Sequence, residues 1–417
     1  MNKPLRSRLL VAALILCSSA YVAAEQTPKL ELRQGDRIAV VGNTFAERMI
    51  ESSYFETLLM ARFPDLHLTV RNLGWSGDTI NIQLRPLNFG DQNTHLRRQR
   101  ADVIFLCFGM AESFDGTAGL ASFKTNLRRT IEGLQANVFN NREPPRLLLV
   151  SPIPHERLGS PLPDPTVHNA HLKIYTQVMG EVASETKVPF VDLYHALGAY
   201  INDSSADSLT FNGIHLTRYG DWVTAQVLMD QLGFTLTPKT VEIDALAKKA
   251  RADGVEVSEL SADPALVRAI VTDYSFPVPP PPRGSRVHAA MVARQPKIVV
   301  KNLSPGRYVL RVNEREVATE GHQEWSRGVH LTTTPAHSDV EALRSAVRDK
   351  NEQFFYRWRA VNGEYIYGRR AQPFGVVSFP PEMEKLERIV TEHDNIIGDL
   401  SSPVRAQAFE LTRRGDS

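Results

Sequence analysis

The sequence predicts an α/β protein: a three-layer domain with a five-stranded parallel sheet, then a small β-rich module and a helical/hairpin C-terminal region. Three observations predict it. Short apolar runs alternate with amphipathic stretches between residues 36 and 235. The chain is then interrupted by Pro277-Val278-Pro279-Pro280-Pro281-Pro282, a run that reads as a stiff extended connector. Beyond it lie β-branched runs separated by turn residues, followed by a helix-start signal.

Taken in order, Arg37-Ile38-Ala39-Val40-Val41 is a β-rich run that ends at Gly42. Residues 45–62 carry Met49, Phe55, Leu58 and Leu59 at near-helical spacing. Further strands are expected at 68–70, 102–108, 146–150 and 188–193, with helices at 121–134, 169–184 and 219–232. In such sheets ligands bind beyond the carboxyl ends of the strands. Residues 238–275 read as helical and charged, with a break near Gly254. Strands are expected at 297–300, 307–312 and 316–318, with turns at Ser304-Pro305-Gly306 and Asn313-Glu314. Ser338-Asp339-Val340-Glu341 has the form of a capping box ahead of a helix bearing Leu343 and Val347. Residues 355–361 and 364–367 flank Asn362-Gly363, a two-residue hairpin signal, and a last helix is expected over 381–393. The expected divisions are 1–24, 30–235, 236–283, 284–335 and 336–417.

The formal charge of +1, and the lack of any Lys/Arg cluster, argue against a nucleic-acid surface. Lys3, Arg6 and Arg8, the apolar run 9–16 and Val22-Ala23-Ala24 have the form of a cleaved export signal, so the expected location is secreted or periplasmic. Cys17 raises a lipoprotein alternative, but the large Leu16 stands where a lipobox needs a small residue. No stretch is long enough for a membrane span. With Cys17 removed, Cys107 is the sole remaining cysteine, and its apolar run marks it as a small core residue rather than a reactive thiol. The His and acid residues lack zinc-type spacing and there is no nucleotide-binding glycine loop, so neither metal nor cofactor is expected.

Four segments carry the chemistry: Gly42-Asn43-Thr44, Asn72-Leu73-Gly74-Trp75-Ser76-Gly77-Asp78-Thr79, Phe108-Gly109-Met110-Ala111-Glu112 and Asn212-Gly213-Ile214-His215. In order and spacing they resemble the SGNH/GDSL hydrolase family, whose pattern is a GDS nucleophile turn, a glycine oxyanion block, a G-x-N-D block and a late D-x-x-H. The resemblance covers about half the chain and implies a flavodoxin-like domain that hydrolyses acyl esters, most often acetyl esters of carbohydrate.

By motif position Thr44 is the nucleophile, with Asn43 in place of the usual aspartate; a helix N-cap is the other reading of Thr44. The resemblance makes Gly77 and the Thr44 amide the oxyanion hole. It makes His215 the general base, oriented by Asn212 where the family has an acid. Ala111 stands where the family has an asparagine donor, and Glu112 where it has the block's acid. Asp78 closes the oxyanion block. His155 and Glu156, after the fourth strand, are candidates to replace the missing acid, or else belong to an ordinary polar loop. Arg48 either receives an anionic group or forms a local salt bridge. The aromatic residues around Trp358 either stack on a sugar or pack a small β unit.

Two readings of function follow. One is an esterase acting on a small-molecule or glycan ester. The other is a glycan-binding protein that kept the pocket and lost the chemistry, motivated by Asn43, Thr44, Ala111 and Asn212 together. A structural cell-envelope scaffold is a third.

Overall fold

The computed structural model describes residues 28–85, 89–201, 203–236, 239–359, 379–401 and 405–414. Its first part alternates strand and helix: β1 (Arg37–Gly42), α1 (Thr44–Ser52), α2 (Tyr54–Arg62), β2 (Thr69–Asn72), α3 (Gln92–Gln99), β3 (Val103–Cys107), α4 (Gly116–Gln135), β4 (Arg146–Val150), α5 (Thr166–Thr186), β5 (Phe190–Val191), the short α6 (Leu193–Ala196) and α7 (Gly198–Ile201), and α8 (Arg218–Gln231). The strands form one parallel sheet in the order β2-β1-β3-β4-β5. Strand side chains alternate faces, and both faces of this sheet are covered, which is why β1, β3 and β4 read as nearly continuous apolar runs, whereas the edge strand β2 carries Thr69, Arg71 and Asn72. Ile38, Val40, Val103 and Phe105 pack with Leu58 of α2 and Trp222 of α8. Ala39, Val41, Ile104 and Leu106 face the other way, toward Phe123 and Leu127 of α4 and Met179 of α5.

Residues 240–273 depart from the helical expectation. They form four strands: β6 (Thr240–Asp244), β7 (Lys249–Asp253), β8 (Glu256–Asp263) and β9 (Leu266–Asp273). The apolar residues that settle the matter are Val241 and Ile243 in β6 and Val267, Ala269 and Val271 in β9, at the spacing of two that a half-buried strand requires. The misleading composition belongs to β7 and β8, edge strands whose Lys249, Arg251, Glu256 and Glu259 face solvent. Gly254, read as a helix break, sits at φ +72 in the turn between them. The proline run is also more than a connector. Phe276 and Val278 are buried in the α/β core, and the Pro279 carbonyl accepts the Trp222 indole N–H at 2.8 Å.

The chain continues through α9 (Ala289–Val292), β10 (Lys297–Lys301), β11 (Arg307–Val312), β12 (Arg315–Gly321), α10 (His322–Arg327), β13 (Val329–His330), α11 (Pro335–Arg359), α12 (Phe379–Leu400) and β14 (Arg405–Arg413). Two further sheets result, with orders β13-β10-β6-β7 and β12-β11-β14-β9-β8. They share one core that includes Ile243, Val271, Val300, Tyr308, Trp325 and Leu411. This β unit therefore begins at 240 rather than 284, and β14, unexpected from the sequence, returns from the end of the chain to lie between β11 and β9. Residues 355–359, expected as strand, are the last turns of α11, because Phe354 and Trp358 continue its buried face at helical spacing. The Asn362-Gly363 turn, residues 364–367 and the export signal lie outside the described residues. No helix among the described residues is long and apolar enough to cross a membrane.

Helices α11 and α12 cover the exposed edge of the parallel sheet at β2. Lys350 is fully buried; its Nζ donates to the Val70 carbonyl at 2.9 Å and lies 2.7 Å from Glu56 Oε1 of α2. Arg71 of β2 forms a two-bond pair with Asp394 of α12 at 3.1 and 2.5 Å. Arg344 donates to the Ser52 carbonyl between α1 and α2 at 2.9 Å. Breaking a buried pair leaves an uncompensated charge, so Lys350→Met should destabilise the chain by about 3–5 kcal/mol. Adding Glu56→Leu should restore most of that loss. Urea unfolding followed by circular dichroism measures both.

Candidate active site

The pocket is organised by the end of β1. A Cβ on Gly42 would lie 2.3 Å from the Cys107 carbonyl oxygen, so no larger residue fits where β1 passes the end of β3. The next amide, Asn43 N–H, donates to that carbonyl at 3.3 Å. The Asn43 side chain then caps α1, accepting from Phe45 N–H at 3.1 Å. The N-cap is therefore Asn43 and not Thr44. Thr44 is the first helical residue, and it stands on the pocket wall.

The oxyanion block lies hard against α1. Asn72 donates to the Ala46 carbonyl at 2.6 Å and accepts from Gly74 N–H at 2.8 Å. Trp75 N–H donates to the Gly42 carbonyl at 2.9 Å. A side chain on Gly74 would meet the Glu47 nitrogen at 2.4 Å. Gly77 follows at φ +86, a backbone conformation that favours glycine, and borders the pocket with open space where a Cβ would be. Asp78 does not face the pocket. It is buried and pairs with both nitrogens of Arg85, at 2.7 and 2.5 Å, and Arg85 lies over the Trp75 ring.

Sequence reasoning missed the residues that hold this block. The Glu47 carboxylate accepts from Ser76 N–H, next to Gly77, and from Arg359 at 2.7 Å. Arg359 also donates to the Gly74 carbonyl at 3.2 Å and stacks over Trp75, its guanidinium carbon 3.5 Å from the ring centre. Trp75 in turn meets Trp358 edge-on at 5.4 Å. Trp358, expected in a hairpin, thus packs against the oxyanion block from α11. The sequence signal was the aromatic cluster around Trp358, and the partners of Arg359, Gly74 and Glu47, lie 285 and 312 residues away.

The candidate replacement acids are committed elsewhere. Glu112 is buried, and its two oxygens accept from Ile80 N–H at 2.7 Å and Gly109 N–H at 2.8 Å. Burial holds its carboxyl above the usual range. Glu156 accepts from Leu209 N–H at 3.0 Å and Thr210 N–H at 2.6 Å, building the loop that carries His215 without touching its ring. His155 Nδ1 lies 2.9 Å from His168 Nδ1, and a Cβ on Gly213 would lie 2.5 Å from His155 Nε2, so the loop packs directly on that ring. Arg48 forms the local pair with Glu51 at 2.8 Å. Burial drives the Cys107 thiol up to about 12, which keeps it protonated although it borders the pocket.

Asn43, Thr44, Gly77, Ala111 and His215 line one pocket of about 190 Å³ at the carboxyl ends of β1 and β3. Residues 35–223 match the model of the GDSL-like lipase/acylhydrolase family. This domain belongs to that family. The sequence has no match among curated proteins. In fold the chain is similar to a gut microbial diltiazem-metabolizing enzyme, at 16% identity and TM-score 0.70 over 93% of this chain and 100% of that one. Part of it also aligns with an acetylxylan esterase from Geobacillus stearothermophilus, at 16% identity and TM-score 0.38 over 50% of this chain and 100% of the esterase.

Within the GDSL-like domain, the partner of His215 decides what its ring can do. Asn212 Oδ1 accepts from the Ile214 and His215 amides at 3.3 and 3.0 Å, which turns its NH₂ group toward His215 Nδ1 at 2.9 Å. An amide nitrogen only donates, so Nδ1 must accept and the neutral ring carries its proton on Nε2. Burial and the nearby Arg48 charge hold its pKa below the ordinary 6.5. Nitrogen-15 NMR of the imidazole should therefore show the Nε2–H tautomer, titrating below pH 6.5. Because the unfolded ring takes up its proton first, this histidine withdraws stability as pH falls below 6.5. Arg359→Ala should speed hydrogen exchange in residues 72–78 far more than in the β1–β3 core, as measured by mass spectrometry.

Proposed function

We propose that the GDSL-like domain is a slow esterase for acyl esters of small-molecule or glycan alcohols. The observation that carries this reading is the shared pocket: a hydroxyl, an imidazole and a positive-φ glycine amide on one wall system. Thr44 Oγ1 attacks the ester carbonyl while its proton passes to His215. The Thr44 and Gly77 amides receive the charge that develops on the carbonyl oxygen, helped by the N-terminus of α1. Collapse expels the alcohol, which takes the proton from His215 and leaves an acyl-Thr44 ester. Water then attacks that ester, giving the free acid and restoring the hydroxyl.

Two features make the rate low. Ala111 has no donor, and one missing oxyanion donor typically costs about 10²–10³ in rate. Asn212 holds Nε2 protonated, and the equivalent Asp-to-Asn change in the serine-protease triad lowers kcat by about 10⁴. The β-methyl of Thr44 narrows its rotamer choice further.

The Asn212–His215 hydrogen bond also favours a second reading, a binding protein. With Nε2–H pointing outward, His215 is a donor to a ligand oxygen rather than a base. Export to the periplasm or beyond suits either reading and rests on residues 1–24.

Kinetics on 4-nitrophenyl acetate and butyrate separate the two. Under the esterase reading, Thr44→Ala and His215→Ala fall to background, and Asn212→Asp raises kcat by about tenfold or more, within the roughly 10⁴ that an orienting acid is worth. Equal rates in the parent and in His215→Ala would sink hydrolysis at this site.

A further inference from the structure

We infer that the site accepts an acyl group larger than acetyl, either an acyl chain of about six carbons or an aromatic acyl group. The inference rests on the esterase reading and sharpens its substrate.

The first argument is volume. The pocket holds about 190 Å³, and its walls include Phe108, Met110, Ala111, Phe114, Ile153 and Ile214. A dry apolar cavity of about 150 Å³ is enough for benzene. An acetyl group would leave most of the space facing apolar walls without contact, and those lost contacts weaken binding of the small acyl group. Ala111 bears on this directly. Where the family places a polar asparagine, this chain has a methyl group, which removes a donor and extends the apolar wall in one step.

The second argument is direction. A separate cavity of about 450 Å³ lies across His215, bordered by Arg48, Glu51, Phe211, Arg218 and the buried Asp221. Asp221 Oδ2 has no hydrogen-bond partner among the described residues. Thr44 and Gly77 border the apolar pocket and not this one, whereas His215 borders both. The carbonyl must sit by the Thr44 and Gly77 amides, and the leaving oxygen must face the proton on His215. The second cavity, more polar than the first, is then on the alcohol side, and the apolar pocket is left to the acyl group.

The test uses the full chain with 4-nitrophenyl acetate, hexanoate and benzoate, each corrected for spontaneous hydrolysis. In parallel, binding of acetophenone, a neutral ketone, is followed by NMR shifts and thermal denaturation. The expected kcat/KM for hexanoate or benzoate exceeds that for acetate by about tenfold or more, the scale of pocket-filling discrimination. Acetophenone should bind, and Ala111→Leu should lower both its affinity and the hexanoate-to-acetate ratio by about tenfold. A preference for acetate, or failure of the parent to bind acetophenone, overturns the inference. Acetophenone binding that Ala111→Leu blocks, with no ester turned over, supports the apolar pocket and removes the hydrolytic reading instead.

Discussion

The pocket depends on one close approach, that of Gly42 to the Cys107 carbonyl. With 2.3 Å between that oxygen and any added Cβ, the chain can leave β1 only as glycine. The same turn sends Asn43 into its capping position and accepts the Trp75 amide through the Gly42 carbonyl. Helix α1, which begins at Thr44, and the 72–79 segment are thus hung from one peptide. One turn along α1, Glu47 receives Ser76 N–H and Arg359, so the C-terminal helix is tied to the same frame. The α/β domain and the tail are in this sense a single device.

That tie explains why α11 carries so many buried polar groups. Lys350, Arg344 and Asn351 bond the β2 edge, the α1–α2 junction and Glu56, none of which a purely apolar helix would satisfy. An open sheet edge is a hazard that proteins cover or blunt. Here the cover is fixed in register by directed bonds. Buried ion pairs add little net stability compared with apolar packing but penalise misplacement heavily. The exact seat of α11 matters because Arg359, at its end, must reach Gly74 and Glu47.

The parallel sheet was legible because its central strands, β1, β3 and β4, are short apolar runs separated by helical stretches, a contrast that survives in a single sequence. The four motif segments were legible for the same local reason: each is a short string with a glycine where the backbone must turn. Strands β7 and β8 were not, because edge strands protect themselves with charge and so resemble exposed helix. Arg359 and β14 were hidden differently. Their partners lie far off in the chain, at Glu47 and Gly74 for one and at β9 and β11 for the other, and no local pattern encodes such a pairing. Among the candidate site residues, Thr44, Gly77 and His215 border one pocket, whereas Glu112, Glu156 and His155, possible accessory residues from the sequence, hold loops together. Buried carboxylates that accept backbone amides and those that serve chemistry have the same sequence signature.

On the esterase reading, the Asn212–His215 pair handicaps the site electrostatically rather than sterically. For His215 to take a proton at Nε2, the Asn212 amide must flip and give up the Ile214 and His215 N–H bonds. At about 0.5–1.5 kcal/mol each, that is roughly 1–3 kcal/mol, a reduction of about 5–150-fold in the competent population. The missing charge of an acid adds a further deficit, because an amide cannot stabilise the imidazolium. Neither change alters the shape of the pocket, since Asn212 still holds the ring and Glu156 still holds the loop. On the esterase reading, recognition and turnover are therefore separable: shape, volume and the Nε2–H donor govern what enters, and the orientation of the Asn212 amide is one of the factors that set how fast it reacts.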